Sequence, residues 1–433
     1  MNANVIVPDL NPCGGGERLT LVVMQALAQK GIDFDLTTFK SPDISRLDNA
    51  YGKNLVSVMK NIRKINLLDI IEELRIQLLQ QENQKQQQQQ HQINYNYDIT
   101  INTHPDSAPY FHPSFSKNNS IIYCHYPAAK YHIESENIGY LEKDLEIEAI
   151  SSVSSYGNNN KDTSSIARSK NHVKTVYNDY KLRETTIKEY FRILKYGYWN
   201  LMRNSTIVTN SEFTRKAIVD AFGIGYNDID ILSPPIDVDI FRNVRLILEQ
   251  DSDDNDSYKR NDTVIVISRI AAHKELENAI KLAKILKARN MGRGMIIVGN
   301  LYNYFEYYKH LKQMVIDLRL TDFVTFEINA SLDRLIDLMR KSKVCFSPRP
   351  EPFGMAILEA MAAGLIPIVP SVGGSAEVVP QQFHYSTLEQ AAEIASLAFH
   401  LSNRERLQIS NSVDKFSSSH YIEGFQQIIS NIL

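Results

Sequence analysis

Cysteine is scarce in this 433-residue chain. There are three, Cys13, Cys124 and Cys345, far apart and without C-x-x-C spacing. That pattern excludes a disulfide framework and a cysteine zinc site, and it fits a reducing compartment. Long apolar runs are missing too. The most apolar stretch, Ala356 to Pro370, is cut by Gly364 and Pro367 and is too short to cross a bilayer. The N-terminus has neither a basic region nor a long apolar one, so no secretory signal is expected. The expected location is cytoplasmic, with the cytoplasmic face of a membrane as the one alternative. Net charge is only −3, which argues against a dedicated nucleic-acid binder.

What is present fits an ordinary folded protein, with 43% hydrophobic and 22% charged residues. The length exceeds one ordinary core and suggests two domains. Val5 to Val7 reads as a strand, followed by a glycine-rich turn. Leu19, Val22, Val23, Ala26 and Leu27 then recur at helical spacing until Gly31. Phe34 to Phe39 alternates like a strand. Ile99 to Asn102, Ile121 to Cys124 and Thr206 to Asn210 are further strand candidates. A long helical pattern runs from Leu55 to Leu79, with Lys53, Lys60, Arg63 and Lys64 among its apolar positions. It reads either as a core-facing helix or as a basic face resting on anionic lipid. Residues 80–94 are glutamine-rich, and residues 151–172 are rich in Ser, Asn and Lys. Both read as loops unable to bury a core.

Pro234 and Pro235 mark a stiff connection, and an acidic stretch from Glu249 to Asp262 follows. Strand and helix patterns then alternate: strands at Val264 to Ser268, Met295 to Val298, Phe323 to Phe326, Val344 to Ser347 and Ile366 to Val369. Helices are expected at Leu276 to Ala288, Leu332 to Met339 and Phe353 to Ala363. Such alternation is the mark of a doubly wound parallel sheet. The fold class expected is α/β, with two Rossmann-like domains facing a central cleft. Residues 1–235 would form the acceptor domain and 236–414 the donor domain. Residues 415–433 would form a helix crossing back to the first domain.

Four features carry chemistry. Gly14, Gly15 and Gly16 follow the first strand and lead into a helix N-terminus, where a side-chain-free backbone can approach an anion. A plain tight turn explains the triplet as well, and it does not match the G-x-G-x-x-G dinucleotide pattern. Arg269 and Lys274 flank the carboxyl end of a strand, where two cations suit a departing diphosphate. Glu351 and Glu359 stand eight positions apart across a loop-to-helix junction at Gly354 and Met355, which would put Glu359 roughly 8 Å along that helix. Carboxylates at that separation can hold a sugar and a ribose. His125 follows an apolar strand, and His104 occupies a similar place, so either imidazole can bond a sugar or move a proton. Asp228-Ile-Asp230 and Asp237-Val-Asp239 each read D-x-D, but they lie around the inter-domain connection, and no metal is expected there.

These pieces, in this order, resemble family 4 (group 1) of the retaining glycosyltransferases with the GT-B fold, and among them the mannosyltransferases that extend dolichol-linked oligosaccharides. The matching segments are Pro8 to Leu10 with Gly14 to Arg18, Tyr123 to Pro127, Val208 to Thr214, Pro234 to Phe241, Ser268 to Ile270, Glu351 to Glu359, Met361 to Pro367 and Gly373 to Glu377. The resemblance implies that Glu351 contacts the transferred sugar and Glu359 the ribose. It implies that Arg269, Lys274, Gly354 and Met355 hold the diphosphate, that Gly15 and Gly16 approach it from the other domain, and that His125 lies beside the reacting carbon. It also implies retention of configuration, a hexose such as mannose carried on a nucleoside diphosphate, a lipid-linked or other glycan as acceptor, and no metal or other cofactor. Two other readings fit the same scaffold: a sugar-nucleotide epimerase, with Glu17 or His104 as acid or base, and a non-catalytic glycan or nucleotide binding module.

Overall fold

In the computed structural model, the residues described are 1–38, 40–64, 97–105, 119–128, 130, 198–199, 201–241, 244, 260–302 and 304–433. The loops expected at 80–94 and 151–172, most of the acidic stretch, and the helical pattern beyond residue 64 lie outside them.

The front domain is built on one parallel sheet. Its strands are β1 (Asn2–Ile6), β2 (Asp33–Thr38), β3 (Ile62–Lys64), β4 (Ile99–Asn102), β5 (Ser120–Cys124), β6 (Thr206–Thr209) and β7 (Ile229–Ile231), in the order β3-β2-β1-β4-β5-β6-β7. Helix α1 (Gly15–Gln29) follows β1, and its apolar side, from Leu19 to Leu27, is fully buried. Glu17 caps its start by accepting from the Gly14 N–H at 2.7 Å, and Gly31, at φ +73°, turns the chain back after it. Two short helices follow β2, α2 (Ile44–Tyr51) and α3 (Lys53–Val56), and α4 (Glu212–Phe222) follows β6.

The helical pattern from Leu55 is overturned where it can be followed. Helix α3 ends at Val56, and Ile62–Lys64 pairs as an edge strand with β2, Leu36 opposite Ile62. An open sheet edge offers unpaired N–H and C=O groups, and satisfying them outweighs helical spacing over three residues.

The rear domain repeats the plan. Strands β8 (Asn261–Ile267), β9 (Gly294–Gly299), β10 (Val324–Ile328), β11 (Ser342–Phe346), β12 (Ile366–Pro370) and β13 (His384–Tyr385) form a parallel sheet ordered β10-β9-β8-β11-β12-β13. Between and after them run α5 (Glu277–Ala288), α6 (Phe305–Asp317), α7 (Leu332–Lys341), α8 (Met355–Ala362), α9 (Leu388–Ala398), α10 (Asn403–Asn411) and α11 (Ser418–Ile432). The acidic stretch ends inside β8, where Asp262 accepts from Lys343 at 2.6 Å.

Each domain has its own core, and each core borrows from the far side of the connection. Ile236, Val238 and Phe241 are buried in the rear core. Tyr421, Ile422, Phe425 and Ile429 of α11 are buried in the front core against α1. The two crossings touch, with the Ile236 N–H donating to Phe416 O at 2.9 Å. Both sheets reverse direction once, between β1 and β4 in front and between β8 and β11 behind. Such switch points open a crevice at the carboxyl ends of the strands.

Candidate active site

The sequence-predicted residues gather at these two switch points. In front, the glycine bend follows β1, His104 follows β4 and His125 follows β5. Behind, Arg269 follows β8, and the segment from Ser347 to Glu351 follows β11. The two edges face each other. A β-carbon added at Gly14 would lie 3.8 Å from Arg269 Nε, and one at Gly15 would lie 2.5 Å from Met355 Sδ. One at Gly16 would lie 2.6 Å from His104 Nε2 and 3.2 Å from His125 Nε2. The triplet is therefore more than a turn: a side chain at Gly15 would fill the gap between the walls, one at Gly16 would press on the two front-wall histidines, and one at Gly14 would meet Glu17 first.

The front wall is held rigidly. The Gly14 carbonyl accepts from Tyr51 Oη at 2.6 Å, while its N–H is taken by Glu17. The remaining oxygen of Glu17 lies 3.7 Å from His104 Nε2. His104 Nδ1 meets Thr103 Oγ1 at 3.2 Å, which in turn meets Thr20 Oγ1 at 2.8 Å. Burial, with Arg269 nearby, pushes His104 down to about 3. Burial, then His104, lower His125 to about 3 as well, against the opposing pull of Glu17 and the Thr103 backbone. Both imidazoles are therefore neutral near pH 7, and His125 Nε2 is buried without a partner. Glu17, an acid or base candidate in the epimerase reading, is instead committed to the helix cap and to His104.

The rear wall carries the charge. Lys274 Nζ donates to both oxygens of Glu351, at 2.8 and 2.9 Å, and both side chains are mostly buried. Burial lowers the Lys274 pKa, and Glu351 opposes that fall. The expected diphosphate cation and the expected sugar carboxylate are thus partners of each other here. Arg269 is exposed toward the cleft. Gly354 stands at φ +94° before α8, a conformation that favours glycine. The Gly354 carbonyl takes the N–H groups of Ile357 and Leu358, which leaves those of Met355 and Ala356 as the donors of this helix start, beside Gly15.

Glu359, a turn further along α8, is half-buried. Burial raises it to about 7, Arg18 pulls it down, and Asp237 pushes it up. Sequence reasoning assigned Arg18 no role. Its guanidinium, 9% exposed, lies 3.7 Å from Asp237 and leaves Nε without a partner. The available signal was its place in the first turn of α1, beside the glycine bend. Asp237, from the second D-x-D, serves this ion pair, and among the described residues no cluster of three or more His, Cys, Asp or Glu side chains is arranged to hold a metal.

Residues 249–407 match the family described as "Glycosyl transferases group 1". The whole chain superposes on solved GT-B enzymes. These include a glycosyltransferase from Rickettsia africae (TM-score 0.59, 14% identity, 100% of this chain and 98% of that one). They also include Anabaena HepE solved with UDP-glucose (TM-score 0.61, 15% identity, 100% and 98%). The fold is GT-B. In sequence, the chain is 24% identical over 248 residues to the GDP-Man:Man(3)GlcNAc(2)-PP-Dol alpha-1,2-mannosyltransferase of Dictyostelium discoideum, covering 52% of this chain and 47% of that protein. It is 32% identical over 112 residues to the GDP-mannose:cellobiosyl-diphosphopolyprenol alpha-mannosyltransferase of Xanthomonas campestris, covering 25% and 29%. The matched region thus spans about half the length of the Dictyostelium enzyme or less.

Proposed function

We propose that this protein is a retaining glycosyltransferase that moves mannose from GDP-mannose to a lipid-linked glycan. One observation carries the reading: the glycine bend of one switch point faces Arg269 and the open N-terminus of α8 at the other. That gap suits a pyrophosphate. The backbone of Gly15 and Gly16 would approach it from the front, and Arg269, Lys274, Gly354 and Met355 would hold it from behind. Fixed cations and helix N–H groups stabilise the charge that builds on a departing nucleoside diphosphate, so no metal is required for that step. Glu351, freed from part of its bond to Lys274 when phosphate arrives, would take sugar hydroxyls. Glu359 would take the ribose. His125 Nε2, neutral and unpartnered, would accept from the sugar beside the reacting carbon.

The choice of mannose, and of a lipid-linked acceptor, leans on the relatives, whose names give GDP-mannose donors and dolichol or polyprenol diphosphate acceptors. An acceptor of that kind would bring the protein to a membrane surface, since no described helix is long and apolar enough to cross one.

The test is transfer of radiolabelled mannose from GDP-mannose to a lipid-linked oligosaccharide extract. UDP-glucose serves as competing donor, and α-mannosidase digestion of the product reads the configuration. Transfer that persists with a chelator is expected. Conversion of the donor without any acceptor would replace this reading with an epimerase, and abolition by the chelator would remove its metal-free step.

A further inference from the structure

The two candidate residues nearest the reacting sugar, His125 and Glu351, sit on different domains, and one short segment ties them together. That segment is the start of α4, from Asn210 to Thr214. Asn210 Nδ2 donates to the His125 carbonyl at 2.8 Å, which turns Asn210 Oδ1 toward Ser211. Ser211 Oγ lies 2.8 Å from that oxygen and 2.7 Å from the carbonyl of Pro352, next to Glu351 in the rear domain. The Glu351 carbonyl accepts from the Gly374 N–H at 2.8 Å. The short turn from Gly374 to Glu377 then reaches back. The two oxygens of Glu377 accept from the N–H groups of Glu212 and Phe213, at 3.0 and 2.6 Å.

A carboxylate of one domain thus caps a helix of the other. The free N–H groups and the positive end of the dipole favour it there. Ser211 already caps α4 within its own domain by accepting from the Thr214 N–H at 3.1 Å. Its hydroxyl proton is therefore spare, with an acceptor on either side. In this structure it reaches Pro352. On opening of the cleft it would turn to Asn210, with water in place of Glu377. Neither arrangement would leave a buried group unpaired, so the tie would form and break at little cost.

We propose that Ser211 and Glu377 are positioning residues, which register Glu351 with His125 by fastening the start of α4 to the loop from Glu351 to Pro352. They touch no substrate, and they act through the two residues they align. The proposal rests on the functional reading above for its effect on transfer, and on the hydrogen bonds alone for its effect on domain closure.

The test separates these. Asp caps a helix about as well as Ser but has no proton to give Pro352, so Ser211→Asp keeps α4 and breaks the tie. Ser211→Thr keeps both. Misplacement of a reacting group by about 1 Å costs on the order of a hundredfold in rate. Ser211→Asp and Glu377→Ala are therefore expected to lose kcat by up to that factor, with the KM for GDP-mannose little changed, while Ser211→Thr retains wild-type kcat. Independently of activity, spin labels at Lys216 and Glu389, both exposed, report the distance between domains. The Ser211→Asp/Glu377→Ala double variant is expected to broaden that distribution. Wild-type kcat in both single variants, or kcat and KM worsening together with thermal stability, would refute the positioning role. An unchanged distance distribution would refute the tie itself. A wild-type protein that transfers no mannose, yet loosens in the double variant, would refute the functional reading and leave the tie standing.

Discussion

The two walls of the cleft do different work with different chemistry. The front wall offers backbone, two neutral imidazoles, a carboxylate already committed to a cap and to His104, and one buried cation, Arg18. The rear wall offers one exposed guanidinium, an ammonium–carboxylate pair and a carboxylate poised near neutrality. The front is therefore mainly a shape, and the rear is mainly a charge distribution. Errors of shape and errors of charge should have separable consequences.

Charge errors should be the larger. Lys274→Ala removes a cation expected at the diphosphate and also leaves Glu351 mostly buried without its partner. Losing an aimed transition-state contact costs roughly a hundredfold to a thousandfold in rate, so kcat/KM for GDP-mannose should fall by about that much. Both kcat and donor affinity should suffer. Glu351→Ala should lose transfer while keeping most donor affinity. Isothermal titration beside steady-state kinetics reads the split, and an unaffected Lys274→Ala enzyme would move the diphosphate elsewhere.

Shape errors come next, and they should differ between neighbours. At Gly16 a new methyl meets the ring nitrogen of His104, which is buried and held by Thr103. At Gly15 it meets the sulfur of Met355, the flexible end of a side chain able to swing aside. Gly16→Ala should therefore cost about 1–3 kcal/mol in stability, the usual range for overpacking, and disturb both imidazoles. Gly15→Ala should unfold close to wild type yet weaken donor binding, because the methyl stands where the pyrophosphate would pass. Equal destabilisation of the two variants would mean that the front wall gives way as a whole.

The same division explains what could be read from sequence. Backbone geometry was legible because parallel strands and glycine bends write themselves in local patterns. β8 and the glycine bend were found from apolar runs and turn residues alone. In the rear domain the loop-to-helix junction between Glu351 and Glu359 was visible because Gly354 and the apolar run after it mark a helix start. Contacts across the cleft were not legible. Ser211 looked like an N-cap, and it is one. Its second acceptor, Pro352 O, is 141 residues away and in a loop of the other domain. Arg18 and Asp237 stand 219 positions apart in sequence and meet only across the fold. Ile62–Lys64 shows the opposite failure, in which a clear helical period lost to an unpaired sheet edge. Local rules fail where a distant partner satisfies the backbone first.

The smallest expected effect probes a rear-wall group that is sensitive near pH 7, Glu359. Glu359 is raised to about 7 by burial, relieved by Arg18 and aggravated by Asp237. Above that pH it is ionised and accepts from hydroxyls with both oxygens. Below it, one oxygen carries a proton and competes as a donor. GDP-mannose, whose diphosphate is a diester with no ionisation in this range, should therefore bind a few-fold more tightly at pH 8 than at pH 6 by a linked-proton argument. The sign for stability is opposite. A carboxyl raised on folding contributes most below its unfolded value, and that contribution is lost as pH climbs through about 7. Glu359→Gln should flatten the affinity profile. Arg18→Met should move its inflection to higher pH, since the cation that favours the carboxylate is gone while Asp237 remains. An inflection that stays in place in Arg18→Met would mean that the front wall contributes no charge to donor binding, and the contrast between the walls would be complete rather than partial.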